Sequence, residues 1–295
     1  MSGVTQPDDQ VEVPHIMRAL DLEVFDAVWS AVEPLLPERA DDHPLGCHRR
    51  RISDKICFWA MLIRLVTGCS WVDVERLVEG KVSDTTLRAR RDEWIRAEVF
   101  DKIAAEALAA YDRVIGLDLT EVSIDGSLHK APCGGEGTGK SPVDRGKLGW
   151  KWSIATEKNG IPIAWVTDGA NRNDCVLLPA TLKAVQTRGL VDDIETLHLD
   201  RGYDNSVVRR AVAEAGIADL VCAKTRPRGK KKLDKKPLPL GLRWPVERTN
   251  SWFSNFGQLR RNTDRCLVQR LAQIALAVAL LLTAKLIDWR DRWSF

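Results

Sequence analysis

Trp150-Lys151-Trp152-Ser153-Ile154-Ala155-Thr156-Glu157-Lys158-Asn159-Gly160-Ile161-Pro162-Ile163-Ala164-Trp165-Val166-Thr167 is the stretch from which the fold is read. Two runs rich in β-branched and aromatic residues, 150–156 and 161–167, flank Asn159-Gly160, a pair suited to the left-handed backbone of a hairpin turn. Upstream, Val122 to Ser127 alternates and reads as a strand that carries Asp125-Gly126. A long Gly-rich loop separates it from the hairpin. Downstream, Asn173 or Asp174 caps a helix reaching about Arg188, and Ile194 to Leu199 is an apolar strand that delivers Asp200 at its end. A helix over Ser206 to Ala215, a strand over Leu220 to Ala223, and helices at about Val246 to Phe256 and Leu267 to Trp289 finish the chain. This order predicts an α/β fold, a mixed sheet with helices packed on it.

Before residue 111 the pattern is helical throughout. Leu22 to Leu36 carries apolar residues at helical spacing and ends at Pro37. Arg49-Arg50-Arg51 opens a second helix with Ile52, Ile56, Trp59, Ile63 and Val66 on one face. Ser70 caps a short helix over Trp71 to Val78, and Gly80 closes it. Ser83 or Asp84 caps a fourth helix, Thr85 to Arg96. Two short helices joined by a tight turn, the second with Thr and Arg near its start, fit a helix-turn-helix, so Arg88, Arg90 and Arg91 are expected on DNA. The expected division is an acidic arm over 1–20, a small all-α domain over 21–110 and a catalytic domain over 111–295.

The net charge of +3 hides an asymmetry. Residues 1–45 are strongly acidic. Residues 224–261 hold twelve basic side chains against Asp234 and Glu247. Like charges so dense repel one another unless a polyanion neutralises them, which points to nucleic acid as the partner. Met1 to Pro14 is polar and acidic, unlike a secretory leader. The seven Cys contain no CxxC pair and read as reduced thiols of a cytoplasmic protein. His43, Cys47 and His48 lie close together but lack a second pair at zinc-ligand spacing. Leu271 to Ile287 is the most hydrophobic segment. With Gln273 and Lys285 near its ends it falls short of the about 20 apolar residues of a span, and a buried core helix is expected.

Aspartates at strand ends, followed by a glutamate on a helix beside a basic block, suit divalent-metal chemistry on phosphates, because hard cations prefer carboxylate oxygen. Asp125, Asp200 and Glu247 are those residues. Asp118 and Glu121 compete with Asp125 for the first position. In sequence order the motifs are Ser123-Ile124-Asp125-Gly126-Ser127, Gly139-Lys140-Ser141-Pro142-Val143-Asp144-Arg145-Gly146-Lys147, Asp168-Gly169-Ala170-Asn171, Leu199-Asp200-Arg201-Gly202-Tyr203-Asp204 and Arg243-Trp244-Pro245-Val246-Glu247-Arg248-Thr249. Together with Thr67-Gly68-Cys69-Ser70-Trp71, they resemble bacterial insertion-sequence transposases of the DDE class, the insertion-sequence four/five superfamily. The resemblance covers roughly residues 20–290. It implies a ribonuclease H-like catalytic domain in which Asp125, Asp200 and Glu247 hold magnesium or manganese, two ions in all. It also implies hydrolysis that frees 3′-hydroxyls at transposon ends, followed by their attack on target DNA. The implied partners are double-stranded DNA and further copies of the chain, as a homodimer or larger assembly at the nucleoid.

The superfamily signature places a Tyr before Arg243 and a Lys after Glu247. Leu240 and Ser254 stand at those positions, so their phosphate contacts fall to Arg248, Arg260 or Arg261, beside Arg145, Lys147 and Arg243. Three rivals share parts of this pattern. Gly134-Gly135-Glu136-Gly137-Thr138-Gly139-Lys140-Ser141 matches a P-loop, but Pro142, Gly146 and Gly149 leave no room for the helix a P-loop needs. A helix-turn-helix regulator would not need the three carboxylates. A metal-dependent nuclease that never joins strands shares every feature. His129 reads as a polar loop residue, and Trp244 and Trp252, at helical spacing from Glu247, read as core.

Overall fold

The computed structural model describes residues 19–38, 51–222 and 241–293. The His43, Cys47 and His48 group and most of the basic block between 224 and 240 lie outside the described residues.

The carboxyl-terminal part is built on β1 (Glu121–Lys130), β2 (Gly139–Lys140), β3 (Leu148–Thr156), β4 (Pro162–Gly169), β5 (Thr196–Leu199) and β6 (Asp219–Cys222). β3 lies between β1 and β4 and is antiparallel to both, while β5 runs parallel to β1 and β6 parallel to β5. The two-residue β2 only extends the edge beside β3. The main order β4-β3-β1-β5-β6, antiparallel on one side and parallel on the other, is the ribonuclease H-like mixed sheet. The hairpin forms as expected, with a three-residue loop, Lys158-Asn159-Gly160, in place of a two-residue turn. Gly160 takes φ 81°, and the buried Glu157 carboxylate accepts from the backbone N–H of Asn159 at 2.8 Å and of Ile161 at 2.9 Å. A type I turn closed by a left-handed glycine is the next commonest hairpin solution.

Helices cover both faces. Strand periodicity puts Ser123, Asp125 and Ser127 on one face and Val122, Ile124 and Gly126 on the other. Numbering the helices in chain order, α6 (Asp174–Thr187) covers the Gly126 face, where Thr181 Oγ1 lies 2.8 Å from Ser153 Oγ. α7 (Ser206–Glu214) follows β5, and α8 (Trp244–Ser254) lies over the Asp125 face. There Trp152 donates its indole N–H to Asn250 at 2.7 Å and packs edge-on against Phe253. A fully buried pair, Trp150 and Trp152, anchors this layer.

The amino-terminal helices are α1 (Leu22–Val32), α2 (Asp54–Thr67), α3 (Trp71–Leu77), α4 (Asp84–Arg96) and α5 (Val99–Val114). Ser70 and Ser83 cap α3 and α4 by accepting from Asp73 and Thr86 N–H, as read. α5 runs through residue 110, and α10 (Leu267–Trp293) returns to pack on α5 and α1. By length and composition α10 could cross a membrane, yet Ala272 to Leu282 is buried in protein, which makes it the core helix the sequence suggested. The P-loop match forms no helix. Its Gly-rich loop is held by the carboxyl-terminal segment, with Glu136 N–H donating to Arg265 O at 2.8 Å and Arg270 donating to Gly134 O at 2.9 Å.

Two expectations fail here. Arg90 is only 5% exposed and pairs with Asp54 and Glu93. Arg91, 8% exposed, pairs with Asp264 at 3.0 Å, as does Arg64. The apolar positions of α4 share a face with these arginines, so their heads turn inward and are held by carboxylates. Neither is available to DNA. Arg88 is exposed and bound to Asp84 at 2.8 Å.

Candidate active site

The parallel register of β1 and β5 sets Ser123 opposite His198. Two residues further along each strand, Asp125 and Asp200 therefore come level on the same face. Asp200 follows β5 directly, and its carboxylate accepts the N–H of Gly202 to cap a 3-10 turn. α8 brings Glu247 to this face. Nη2 of Arg243 lies 3.4 Å from Asp125 Oδ2 and 3.3 Å from Glu247 Oε1, so one guanidinium nitrogen stands between two of the three carboxylates. The third is felt through its charge. Burial pushes the Asp125 carboxyl above its ordinary value, and the charges of Asp200 and Asp174 push it further; the Gly126 N–H at 2.8 Å and Arg243 oppose this.

Asp174 is a neighbour that the sequence offered, beside Asn173, as a helix cap; Asn173 is the cap. Asp174 comes in from the opposite face, beneath Gly126, and pairs with buried Lys151 at 2.7 Å. A methyl at position 126 would overlap the Asp174 carboxylate. That accounts for glycine after Asp125. Tyr203 is buried close to the same acids, and burial with their charges pushes its phenol far up.

A second device was also missed. His198 Nδ1 accepts the N–H of Leu242 at 3.0 Å, and Leu242 O accepts from Ser123 Oγ. Because Nδ1 accepts, a neutral ring carries its proton on Nε2, which faces Glu121 Oε2 at 2.8 Å. The residue before Arg243 is thus clamped to β1 and β5, and α8 starts from that clamp. The signal was present, since His198 sits two residues before Asp200 on one strand face. Glu121 is occupied by this clamp, and Asp118 by Thr120 and Lys158, so neither reaches the Asp125 position.

The expected DNA contacts separate by place. Arg243 joins the site. Arg248, expected on phosphate, lies over Trp252 at 4.8 Å and Trp244 at 5.7 Å. Trp244 is 47% exposed, not core, because Pro245 and Val246 take the inward positions of that turn. Lys130 pairs with Gly149 and bridges Arg261, which gathers exposed Arg145, Lys147 and Arg261 toward the far end of β1. That end is five residues from Asp125, about 17 Å along a strand. Arg260 is exposed at the end of α9 (Gly257–Arg260). His129 is no loop residue. It lies on β1, stacks on Trp152 at 3.5 Å, and burial pushes its pKa down to about 3.

The sheet is ribonuclease H-like, with Asp125 midway along its first strand, Asp200 just after its fourth main strand and Glu247 on a following helix, and sequence comparison supplies the family. Residues 113–282 match the family described as "Transposase DDE domain", and residues 24–104 match "Putative transposase of IS4/5 family". The first match spans more than half of the chain, which belongs to the DDE transposases of that family. A "Putative transposase for insertion sequence element IS402" of Burkholderia cepacia is 37% identical over 133 residues, 43% of this chain and 60% of that protein's length. The "Insertion element IS402 uncharacterized 16.2 kDa protein" of the same organism is 27% identical over 119 residues, 40% of this chain and 80% of that one. A solved pre-cleavage Mos1 transpososome overlaps 84% of this chain and 82% of its own, at 9% identity and a TM-score of 0.29, too loose a likeness to carry an argument.

Proposed function

We propose that this chain cleaves DNA at the ends of an insertion sequence and joins the freed 3′-hydroxyls to target DNA, with Asp125, Asp200 and Glu247 as its catalytic carboxylates. The observation that carries this reading is the Arg243 guanidinium standing between the Asp125 and Glu247 carboxylates, with the charge of Asp200 felt at Asp125. Residues 21–110 serve as the DNA-recognising part and 111–295 as the catalytic part, acting as a homodimer or larger assembly.

Enzymes of this family use divalent metal ions. Among the described residues no three acidic, His or Cys side chains converge closely enough to form a ready metal cluster. The donor set still fits the chemistry: all are carboxylate oxygens, which hard cations prefer. The place between Asp125 and Glu247 is held by a cation, the Arg243 guanidinium. Asp125, Asp200 and Glu247 would hold magnesium or manganese, two ions, which supply polarisation of the attacking and leaving oxygens. Arg243 in the resting chain holds two like charges together. Its side chain is 45% exposed and free to turn to a DNA phosphate as strand and metal arrive. The His198 clamp keeps the start of α8 in place through that exchange.

The test is incubation of the purified chain with magnesium and duplex DNA carrying the element's own ends, taken from the DNA flanking its coding region. Nicks at the ends and joined strands, without ATP, are expected. Nicks with no joined product would favour a plain nuclease.

A further inference from the structure

On the other side of α8 from the acids lies a cavity of about 480 Å³, bounded by α5, α8, α10 and the β3–β4 loop. Three cations face it: Arg248 from α8, and Lys285 and Arg292 from α10. Among the described residues none of the three has an ion-pair partner. The Lys285 ammonium rests on the Trp252 ring at 4.0 Å, and Arg248 covers the same ring at 4.8 Å. Asn159 and Asn255 add polar groups at the rim. The other titratable groups around the cavity are Tyr111 of α5, Asp288 of α10 and, further off, Glu157 behind the hairpin loop.

We propose that this cavity is a phosphate-binding pocket, taking the phosphate of a nucleotide between Lys285, Arg248 and Arg292. Three like charges held around one half-enclosed space repel each other, and an anion placed among them relieves that repulsion with charge-assisted hydrogen bonds. Trp252 and Trp289 line the same space, and its size suits a small ligand. Burial, together with the Arg248 and Arg292 charges, pushes the Lys285 ammonium down to about 8, against the opposing charges of Asp288 and Glu157. The source of the phosphate is a DNA strand or a free nucleotide; the chemistry is the same. The pocket does not depend on the catalytic assignment.

The experiment measures binding by full-length protein, without metal, of inorganic phosphate, a 5′-mononucleotide and a DNA duplex, using tryptophan fluorescence and calorimetry. Lys285→Met keeps the apolar stem on Trp252, and Lys285→Arg keeps the charge; melting curves confirm that both are folded. Loss of one charge-assisted contact should weaken binding about tenfold or more in Lys285→Met and little in Lys285→Arg. Wild-type affinity for phosphate should also fall as pH rises through about 8, where Lys285 loses its proton, and this fall should vanish in Lys285→Arg. Weakening for mononucleotide and phosphate identifies a free nucleotide, and weakening for duplex alone identifies a DNA strand. Unchanged affinity of folded Lys285→Met for all three probes would overturn the proposal.

Discussion

Asp264→Asn is the substitution that most sharply separates structural from DNA-binding arginines. Asp264 accepts from Arg64 through both oxygens, at 3.0 and 3.1 Å, and from Arg91 at 3.0 Å through Oδ1, and their side chains are 7%, 4% and 10% exposed. Burial pushes the Arg64 guanidinium down from its ordinary value, the Asp264 carboxylate is the main influence opposing this, and the Arg91 charge adds to the downward push. Asparagine keeps the shape and one acceptor but leaves two buried cations facing each other without a counter-charge. Removing one partner of a buried pair costs about 3–5 kcal/mol. At about 2–4 °C per kcal/mol for a chain of this order, the melting temperature should fall by roughly 6–20 °C. The assay is urea and thermal unfolding of wild type, Asp264→Asn and Arg91→Ala, paired with gel shifts on end DNA. Both variants should lose stability, and Arg91→Ala should bind DNA as wild type does at a temperature where it is folded. A fully stable Arg91→Ala that binds DNA weakly would show that Arg91 faces DNA and that the inward placement is wrong.

Two further outcomes follow from buried histidines. His129 has its folded pKa lowered to about 3, against about 6.5 when unfolded, so the unfolded chain takes up the proton first. Its contribution is complete above pH 6.5 and is lost as pH falls toward 3, amounting to about 2 kcal/mol at pH 5. His129→Phe, which keeps a ring on Trp152, should flatten the stability profile between pH 7 and pH 5; an unchanged profile would contradict the buried neutral imidazole. For His198, Asn can offer Oδ1 to the Leu242 N–H where Nδ1 now accepts, whereas Gln places its amide where Nε2 lies. His198→Asn should retain most strand cleavage and His198→Gln should lose about tenfold or more in turnover, with end binding similar in both. Equal turnover in the two would remove His198 as a positioning residue.

Much of this was legible because periodicity and turn chemistry are local. The hairpin at Asn159-Gly160, the serine caps at Ser70 and Ser83, and the strands delivering Asp125 and Asp200 are each set by a few neighbouring residues. The candidate acids stood out because the resemblance rests on motifs around each one. What escaped depends on contacts across the chain. Nothing near Arg91 says that Asp264, far downstream, will bury it, and α4 alone looks like an arginine-rich surface helix. The outward turn of Trp244 follows from which residues of the first turn of α8 meet the sheet. Asp174 became visible as a neighbour of the acids only once Gly126 was seen to make room for it. The use of α10 as a shared core for α1 and α5 is likewise tertiary, though its apolar composition announced burial.

The central claim is that Asp125, Asp200 and Glu247 act as one site. It is tested most directly by Asp125→Asn, Asp200→Asn and Glu247→Gln in magnesium-dependent cleavage of end DNA, with end binding and melting curves measured on the same preparations. Each should abolish cleavage while leaving the fold and end binding largely intact, and any two combined should do no further damage, because residues acting as a unit are non-additive. Robust cleavage by any one of the three variants would contradict the account.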